Sequence, residues 1–368
     1  MVTDVTGTSN TADDAVPNLA SQAAYLIEVA TRAPSLHNTQ PWRFKVGERA
    51  IELYADPSRQ LREDPAGREM LISCGAALYG LRLGICSLGY RPETDALGYR
   101  PETGTFPPRA RPRPLARVRL GRPAPMTPDE RKLLHAVPHR HTHRGPFEPG
   151  PLPAGLLTRL QDDVTAEGAT LAVIETEAAR QKLAAILATW SRRQDLYPMS
   201  PAAIQSRAET AQWTRDARSL ARDGVPAHAF PAGHGRESGR LPQRDFDLGR
   251  GLGLLPPGGS PAPVTAILMT SGDHEEDWLR AGQALHRLLL DAASRWVFAN
   301  LQTEPLQAPQ TRSLIQYSLA LPGWPQMLLQ LGVTQTTHPT ARRPAADLTL
   351  ALRAGVVVVQ LYLPGSGR

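Results

Sequence analysis

Residues 30–44 read Ala-Thr-Arg-Ala-Pro-Ser-Leu-His-Asn-Thr-Gln-Pro-Trp-Arg-Phe. Ser35, His37, Asn38 and Gln40 crowd donors and acceptors into a span bounded by Pro34 and Pro41, with Trp42 at its exit. The residue before a proline is kept out of the α region, and proline itself fixes φ and donates nothing. The result is a short, stiff, polar loop with an aromatic beside it, suited to holding a flat polar ligand. A second chemical stretch runs Arg140-His141-Thr142-His143-Arg144-Gly145-Pro146-Phe147. Alternate strand residues share a face, so His139, His141 and His143 could converge on a metal. The interleaved Arg140 and Arg144 and the lack of a nearby carboxylate speak for a plain basic strand instead. Gly249, Gly251 and Gly253 do not form a dinucleotide fingerprint, because the third glycine is misplaced and Pro256-Pro257 blocks a following helix.

These residues need elements to position them. Leu19, Ala23, Leu26, Ile27 and Ala30 recur at helical spacing and predict a helix over 19–32, which delivers the first loop. Residues 44–46 and 51–55 read as strands joined at Gly47, and 67–88 as a long helix. Its Ser73, Gly75, Ala76 and Ala77 are small enough for close packing on another helix. Leu88–Thr94 and Leu97–Thr103 are both Leu-Gly-Tyr-Arg-Pro-Glu-Thr, too short a repeat for a solenoid, and read as a duplication in a surface loop. Residues 106–114 read as a linker and 115–120 as a strand. Helices follow over 128–136, capped by Thr127, over 156–160 and over 178–190, with a strand over 170–174. Residues 200–262 are rich in Arg, Gly and Pro with little periodicity. A strand over 263–269, a strong helix over 276–298 and a strand over 327–333 complete the reading, and nothing places the tail from 344 on.

The chain has 368 residues, 41% hydrophobic and 21% charged, enough for a sizeable core in one or two domains. Net charge is +6, but the 38 arginines and 3 lysines are dispersed and aromatics are only 5%, which argues against nucleic-acid binding. No stretch approaches twenty apolar residues, so no membrane span is expected. Residues 1–14 lack the basic start and apolar centre of a signal peptide, and 1–18 read as a loose tail. Cys74 and Cys86 lie on one predicted helix about 120° apart around its axis, so they should not bridge, and a reduced cytoplasmic chain is expected.

The first loop resembles the FMN signature of the nitroreductase flavoproteins, A-x-S-x-x-N-x-Q-P-W, at Ala33, Ser35, Asn38, Gln40, Pro41 and Trp42. The His37-Asn38 pair resembles the Acg-like branch in particular. Ordinary members carry a phosphate motif, R-[RH]-S-x-[RK]-x-F, before that loop. Here no arginine precedes Arg32, and the motif's counterpart is Arg140-His141-Thr142-His143-Arg144-Gly145-Pro146-Phe147, with Thr142 for serine. The resemblance therefore implies an α+β fold of two fused nitroreductase-like halves, over 19–120 and 121–343. It implies one FMN per chain, held by Ser35, His37, Asn38, Gln40 and Trp42 from one half and Arg140, His141, Thr142 and Arg144 from the other. It further points to Thr303, in the turn Gln302-Thr303-Glu304-Pro305, and to Arg342 and Arg343 in the final segment. The implied reaction is NAD(P)H-dependent reduction of a small acceptor, a nitro compound or quinone, by a monomeric pseudo-dimer or homodimer. The alternative is FMN sequestration under a lid within 200–262, whose Asp223-Gly224-Val225-Pro226 and Arg244-Asp245-Phe246 resemble that branch.

Overall fold

A computed structural model describes residues 18–96, 113–196, 200–215, 217–230, 246, 248 and 263–350. Helix α1 (Leu19–Thr31) starts at Asn18, whose Oδ1 accepts from the Ala20 amide at 2.9 Å, and buries the predicted apolar stripe. Then come β1 (Trp42–Val46), β2 (Ala50–Ala55), α2 (Arg68–Ser87), β3 (Tyr90–Ala96) and β4 (Ala116–Pro123). A connecting region holds α3 (Pro128–Ala136), capped by Thr127 in a capping box with Glu130, and α4 (Leu156–Ala166). The second sheet is built from β5 (Thr170–Val173), β6 (Val264–Thr270), β7 (Val297–Gln302) and β8 (Trp324–Val333). Between β5 and β6 stand α5 (Glu177–Leu196), α6 (Pro201–Trp213) and α7 (Ala217–Leu220). Helix α8 (Glu275–Ala293) joins β6 to β7, α9 (Glu304–Gln307) and α10 (Pro309–Ser318) join β7 to β8, and α11 (Ala345–Leu348) follows.

The two sheets have the same winding. Their strand orders are β1-β2-β4-β3 and β5-β6-β8-β7, every pair antiparallel. The long helix takes the same place in each, α2 between β2 and β3, α8 between β6 and β7. The chain is thus α+β with two halves of one topology. The halves meet where α2 crosses α8. A Cβ on Gly75 would overlap the Leu279 carbonyl, and one on Gly282 the Ile72 carbonyl, so glycine at both places lets the backbones touch. His286, sealed in this crossing, bonds through Nδ1 to the Ala76 carbonyl at 2.6 Å.

Several expectations need correction. Helix α2 is long and apolar enough to cross a membrane, contrary to the reading of the composition, but 89% of that window is buried inside the protein, against α1 and α8. The first copy of the heptapeptide is not loop: it forms the turn into β3, an edge strand where Pro92 costs no ladder bond to a further neighbour. The second copy lies outside the described residues. The predicted 276–298 helix stops at Ser294, and Trp296, at φ 58°, turns the chain into β7. Part of 200–262 is helical, with Ser200 capping α6 and Pro201 in its first turn. The unplaced tail returns to the first half. Leu350 donates to the Phe44 carbonyl at 2.7 Å, Arg43 Nη1 to the Asp347 carbonyl at 2.8 Å, and Leu348 enters the first core.

Candidate functional site

Helix α1 ends at the polar loop. His37, Asn38 and Gln40 have φ of 51°, 56° and 50°, the left-handed region that non-glycine residues enter at a cost of roughly 1–2 kcal/mol each. Distant segments hold them there. Asn38 Nδ2 donates to the Gly224 carbonyl at 3.1 Å and to the Ala341 carbonyl at 3.0 Å. Gln40 Nε2 donates to the Arg222 carbonyl at 2.9 Å, and Gln40 Oε1 accepts from the Arg343 amide at 2.9 Å. Ser35 Oγ accepts from the Gln40 amide at 3.0 Å. Trp42 is wholly inside the first core.

Three arginines gather at the C-terminal end of α1. Arg140 donates through Nε and Nη2 to the Arg32 carbonyl at 3.1 and 2.9 Å. Arg342 Nε donates to the Thr31 carbonyl at 2.6 Å and Nη2 to the Ala33 carbonyl at 3.2 Å. Both occupy the negative end of the helix dipole. Arg144 spends Nη1 on the Thr142 carbonyl at 3.4 Å and stacks over the Phe246 ring at 5.2 Å. Burial lowers Arg140 to about 10, helped by Arg144 and Arg32, and lowers Arg144 to about 10, so both stay charged at neutral pH. Arg342 is lowered by burial and then by Arg140, Arg32 and Arg144. Among the described residues no carboxylate pairs with any of the three. Arg140 Nη1 and Asn38 Oδ1 are buried without a partner there. Arg343 points elsewhere, its Nη2 on the Asp347 carbonyl at 3.3 Å.

The three histidines do not form one cluster, although the His141 and His143 rings meet edge-on at 6.0 Å. His141 lies against Phe298 at 4.3 Å, with Nε2 buried and without a partner among the described residues, and burial pushes it down to about 3, so it is neutral. His143 lies against Phe147 at 4.7 Å and His139 stacks on Trp296 at 6.2 Å. No group of three metal-ligating side chains occurs among the described residues.

Beside the arginines opens a cleft of about 940 Å³, counting its mouth. Both halves line it. The first supplies Ser35 and His37 from the loop and Glu69, Ile72 and Ser73 from α2. The second supplies Leu285 from α8, Asn300 to Gln302 from β7, the turn from Thr303 to Pro305, and Met327. Thr142 and Arg144 enter between them, and Trp190 and Phe246 complete the wall. Ser35, His37, Thr142, Arg144 and Thr303 thus share one wall. Asn38, Gln40, Trp42, Arg140, His141, Arg342 and Arg343 lie behind it or hold its shape. At the corresponding place across the α2–α8 crossing lies another hollow, lined by Glu276, Leu279 and Arg280. These stand as far before Gly282 as Glu69, Ile72 and Ser73 stand before Gly75.

No protein-family model matches the chain. Over 335 residues, 88% of this chain and 89% of the other, it is 31% identical to "Putative NAD(P)H nitroreductase Rv3131" of Mycobacterium tuberculosis. The chain belongs to the nitroreductase family. It is also 28% identical over 328 residues to "Putative NAD(P)H nitroreductase acg" of the same organism, covering 88% of this chain and 93% of that one. Among solved structures it resembles an FMN-bound nitroreductase from Desulfitobacterium hafniense, with TM-score 0.36 and 15% identity over 60% of this chain and 98% of that one. It resembles likewise the FMN-dependent nitroreductase NfnB from Mycobacterium smegmatis, in complex with NADPH, with TM-score 0.34 and 14% identity over 63% and 98%. In this nitroreductase-family chain, sequence reasoning missed Glu69, Trp190 and Asn300 in the cleft wall. Glu69 lies within the predicted 67–88 helix, and Asn300 lies just beyond the predicted 276–298 helix, where no strand was expected.

Proposed function

We propose that the chain is an FMN-dependent oxidoreductase that passes electrons from NAD(P)H to a small electron-poor acceptor, a nitro compound or a quinone. What carries this reading is the group of buried Arg140 and half-buried Arg144 and Arg342, without a paired carboxylate among the described residues. A buried guanidinium without a counter-charge is costly, and Arg140 Nη1 has nothing to donate to among the described residues. A phosphate monoester supplies the missing charge, and its oxygens match the guanidinium fork. Arg140, His141, Thr142, Arg144 and Arg342 would hold the phosphate. Ser35, His37 and Thr303 would face the rest of the cofactor, while Asn38, Gln40, Trp42 and Arg343 fix the loop. FMN supplies hydride chemistry, and the chain supplies position, charge and exclusion of water. Both halves, 19–120 and 121–343, contribute to one cleft, so a single chain suffices as a pseudo-dimer. With Cys74 and Cys86 both buried as free thiols, we place it in the cytoplasm.

A second reading, sequestration of the flavin under a lid drawn from 200–262, is favoured by Phe246. Its ring sits edge-on to His37 at 5.7 Å and under Arg144, at the cleft wall. Arg244 and Asp245 lie outside the described residues. The test is titration of the flavin-free chain with FMN and with riboflavin. Two or more charge-assisted hydrogen bonds to phosphate make FMN bind roughly a hundredfold tighter or more. Equal affinities would remove the phosphate from the arginines, and binding of neither would remove the flavin. Oxidation of NAD(P)H by the loaded chain, with a quinone or nitro compound present, separates catalysis from sequestration.

A further inference from the structure

Glu69 is a carboxyl in the floor of an otherwise largely apolar stretch of cleft. It stands in the first turn of α2 and is 4% exposed. Its Oε1 accepts from Arg68 Nη1 in a buried ion pair. Behind it lies a second, smaller cavity that shares Glu69 and Ser73 with the cleft and is also lined by Asp64 and Gln60. Glu69 is therefore part of the wall between the two spaces, with Asp64 on the far side. Arg68, and Arg312 from α10, favour its ionised form, while burial, the largest influence, and Glu63 favour the acid, and the balance lies toward the acid. Asp64, whose Oδ2 accepts from the Met70 amide at 3.0 Å, is pushed up to about 7 by burial and then by Glu69.

Reduction of a quinone or nitro group takes up a proton with each hydride. Resting on the reading of the cleft as a flavin oxidoreductase site, we propose that Glu69 donates this proton to the acceptor and that Asp64 reloads it across the small cavity. For a quinone the account balances. Two electrons and one hydrogen arrive as hydride from the reduced cofactor. The second hydrogen arrives as the Glu69 carboxyl proton, its O–H bond breaking as a hydroquinone O–H forms. The carboxylate left on Glu69 takes a proton from Asp64, and Asp64 takes one from solvent.

The experiment mixes the photoreduced holoprotein with a quinone, or with ferricyanide, which accepts electrons without a proton. Glu69→Gln should slow the quinone step by roughly a hundredfold more than the ferricyanide step, the usual scale of general acid catalysis, when flavin-loaded proteins are compared. Glu69→Asp should restore part of the quinone rate. Under repeated turnover the parent's quinone rate should fall as pH rises through about 7, and Asp64→Asn should abolish that fall. Equal slowing with both acceptors overturns the proposal. Infrared difference spectra of parent and Glu69→Gln at neutral pH add a readout free of turnover. The parent-minus-variant difference should contain a protonated-carboxyl stretch beyond the one that Asp64 keeps in both, and no such difference overturns the donor. A chain that takes up no flavin overturns the reading of the cleft, an outcome distinct from either.

Discussion

Arg140 gives two of its donors to one carbonyl at the end of α1 and keeps Nη1 without a partner among the described residues. A residue that only capped the helix would have no use for the positive charge of half-buried Arg144 and Arg342 beside it. Arg140→Ala should therefore weaken FMN by about 1.5–3 kcal/mol and leave riboflavin almost unchanged. Equal loss for both flavins would mean that the side chain holds the loop and not the phosphate. Asp64 gives a second prediction at this scale. Its folded-state pKa is raised to about 7 from the ordinary aspartate value of 3.8. Its favourable contribution is thus complete below the unfolded value and is lost as pH rises toward 7. The stability of Asp64→Asn relative to the parent should climb with pH over that window, by up to about 1.4 kcal/mol per unit, and then level off. Thermal melts at a series of pH values check it, and a flat difference would refute the buried acid. The loop motif named the right neighbourhood from sequence. It could not say that Asn38 and Gln40 turn away to bind the Gly224, Ala341 and Arg222 carbonyls, because those partners are 182 to 303 residues away.

Among elements, the α2–α8 crossing is the most demanding contact. A methyl on Gly282 would meet backbone atoms of Ile72, Gly75 and Ala76, none of which can rotate aside. Gly282→Ala should cost about 1–3 kcal/mol or more through forced separation of the helices, seen as a lowered melting temperature. Gly145→Ala, where a Cβ would meet only His143 ring atoms at 3.5 Å or more, is the control. The close packing of Gly75 was legible from its small neighbours, although its partner helix was not. A different contact ties the segment around Asp223 to the first half. Asp223 pairs with Arg59 and Arg218, and both arginines stack on Trp213. Breaking a buried pair from one side costs about 3–5 kcal/mol. If this latch holds the lid segment closed, Asp223→Ala should speed anaerobic flavin reduction by NAD(P)H about tenfold or more, since 1.4 kcal/mol shifts an equilibrium tenfold. An unchanged rate with FMN still bound would show that the latch does not gate entry.

The whole molecule repeats one topology, but its two hollows are not equivalent. The cleft has Arg144 in its wall and Arg140 and Arg342 behind it, whereas the hollow across the crossing carries Glu167, Glu275 and Glu276. Its arginines are engaged, Arg82 with Glu167 and Arg280 with Asp277. A phosphate dianion would meet net negative charge there. One FMN per chain is expected, measured by releasing the flavin and quantifying it against protein, and two per chain would contradict the asymmetry. Nor does the second half have a counterpart of the polar loop, because α4 passes into β5 through only Glu167 to Ala169.

The sequence by itself determined what local physics can write. Prolines and polar residues marked the loop, helical periodicity marked α1, α2 and most of α8, and Thr127 marked the start of α3. Each of those signals acts within a few residues. Tertiary structure alone decided the rest. It carried Arg342 back to the carbonyl of Thr31, 311 residues earlier, and laid the tail beside β1. It made Val297 to Gln302 a strand by offering β8 as a partner, where the apolar pattern alone carried a helix on to Phe298. It also set Glu69 in a wall between two cavities, because that position depends on which helix α2 meets. Convergence and burial arise from packing between segments far apart in the chain, and no window of neighbouring residues contains them.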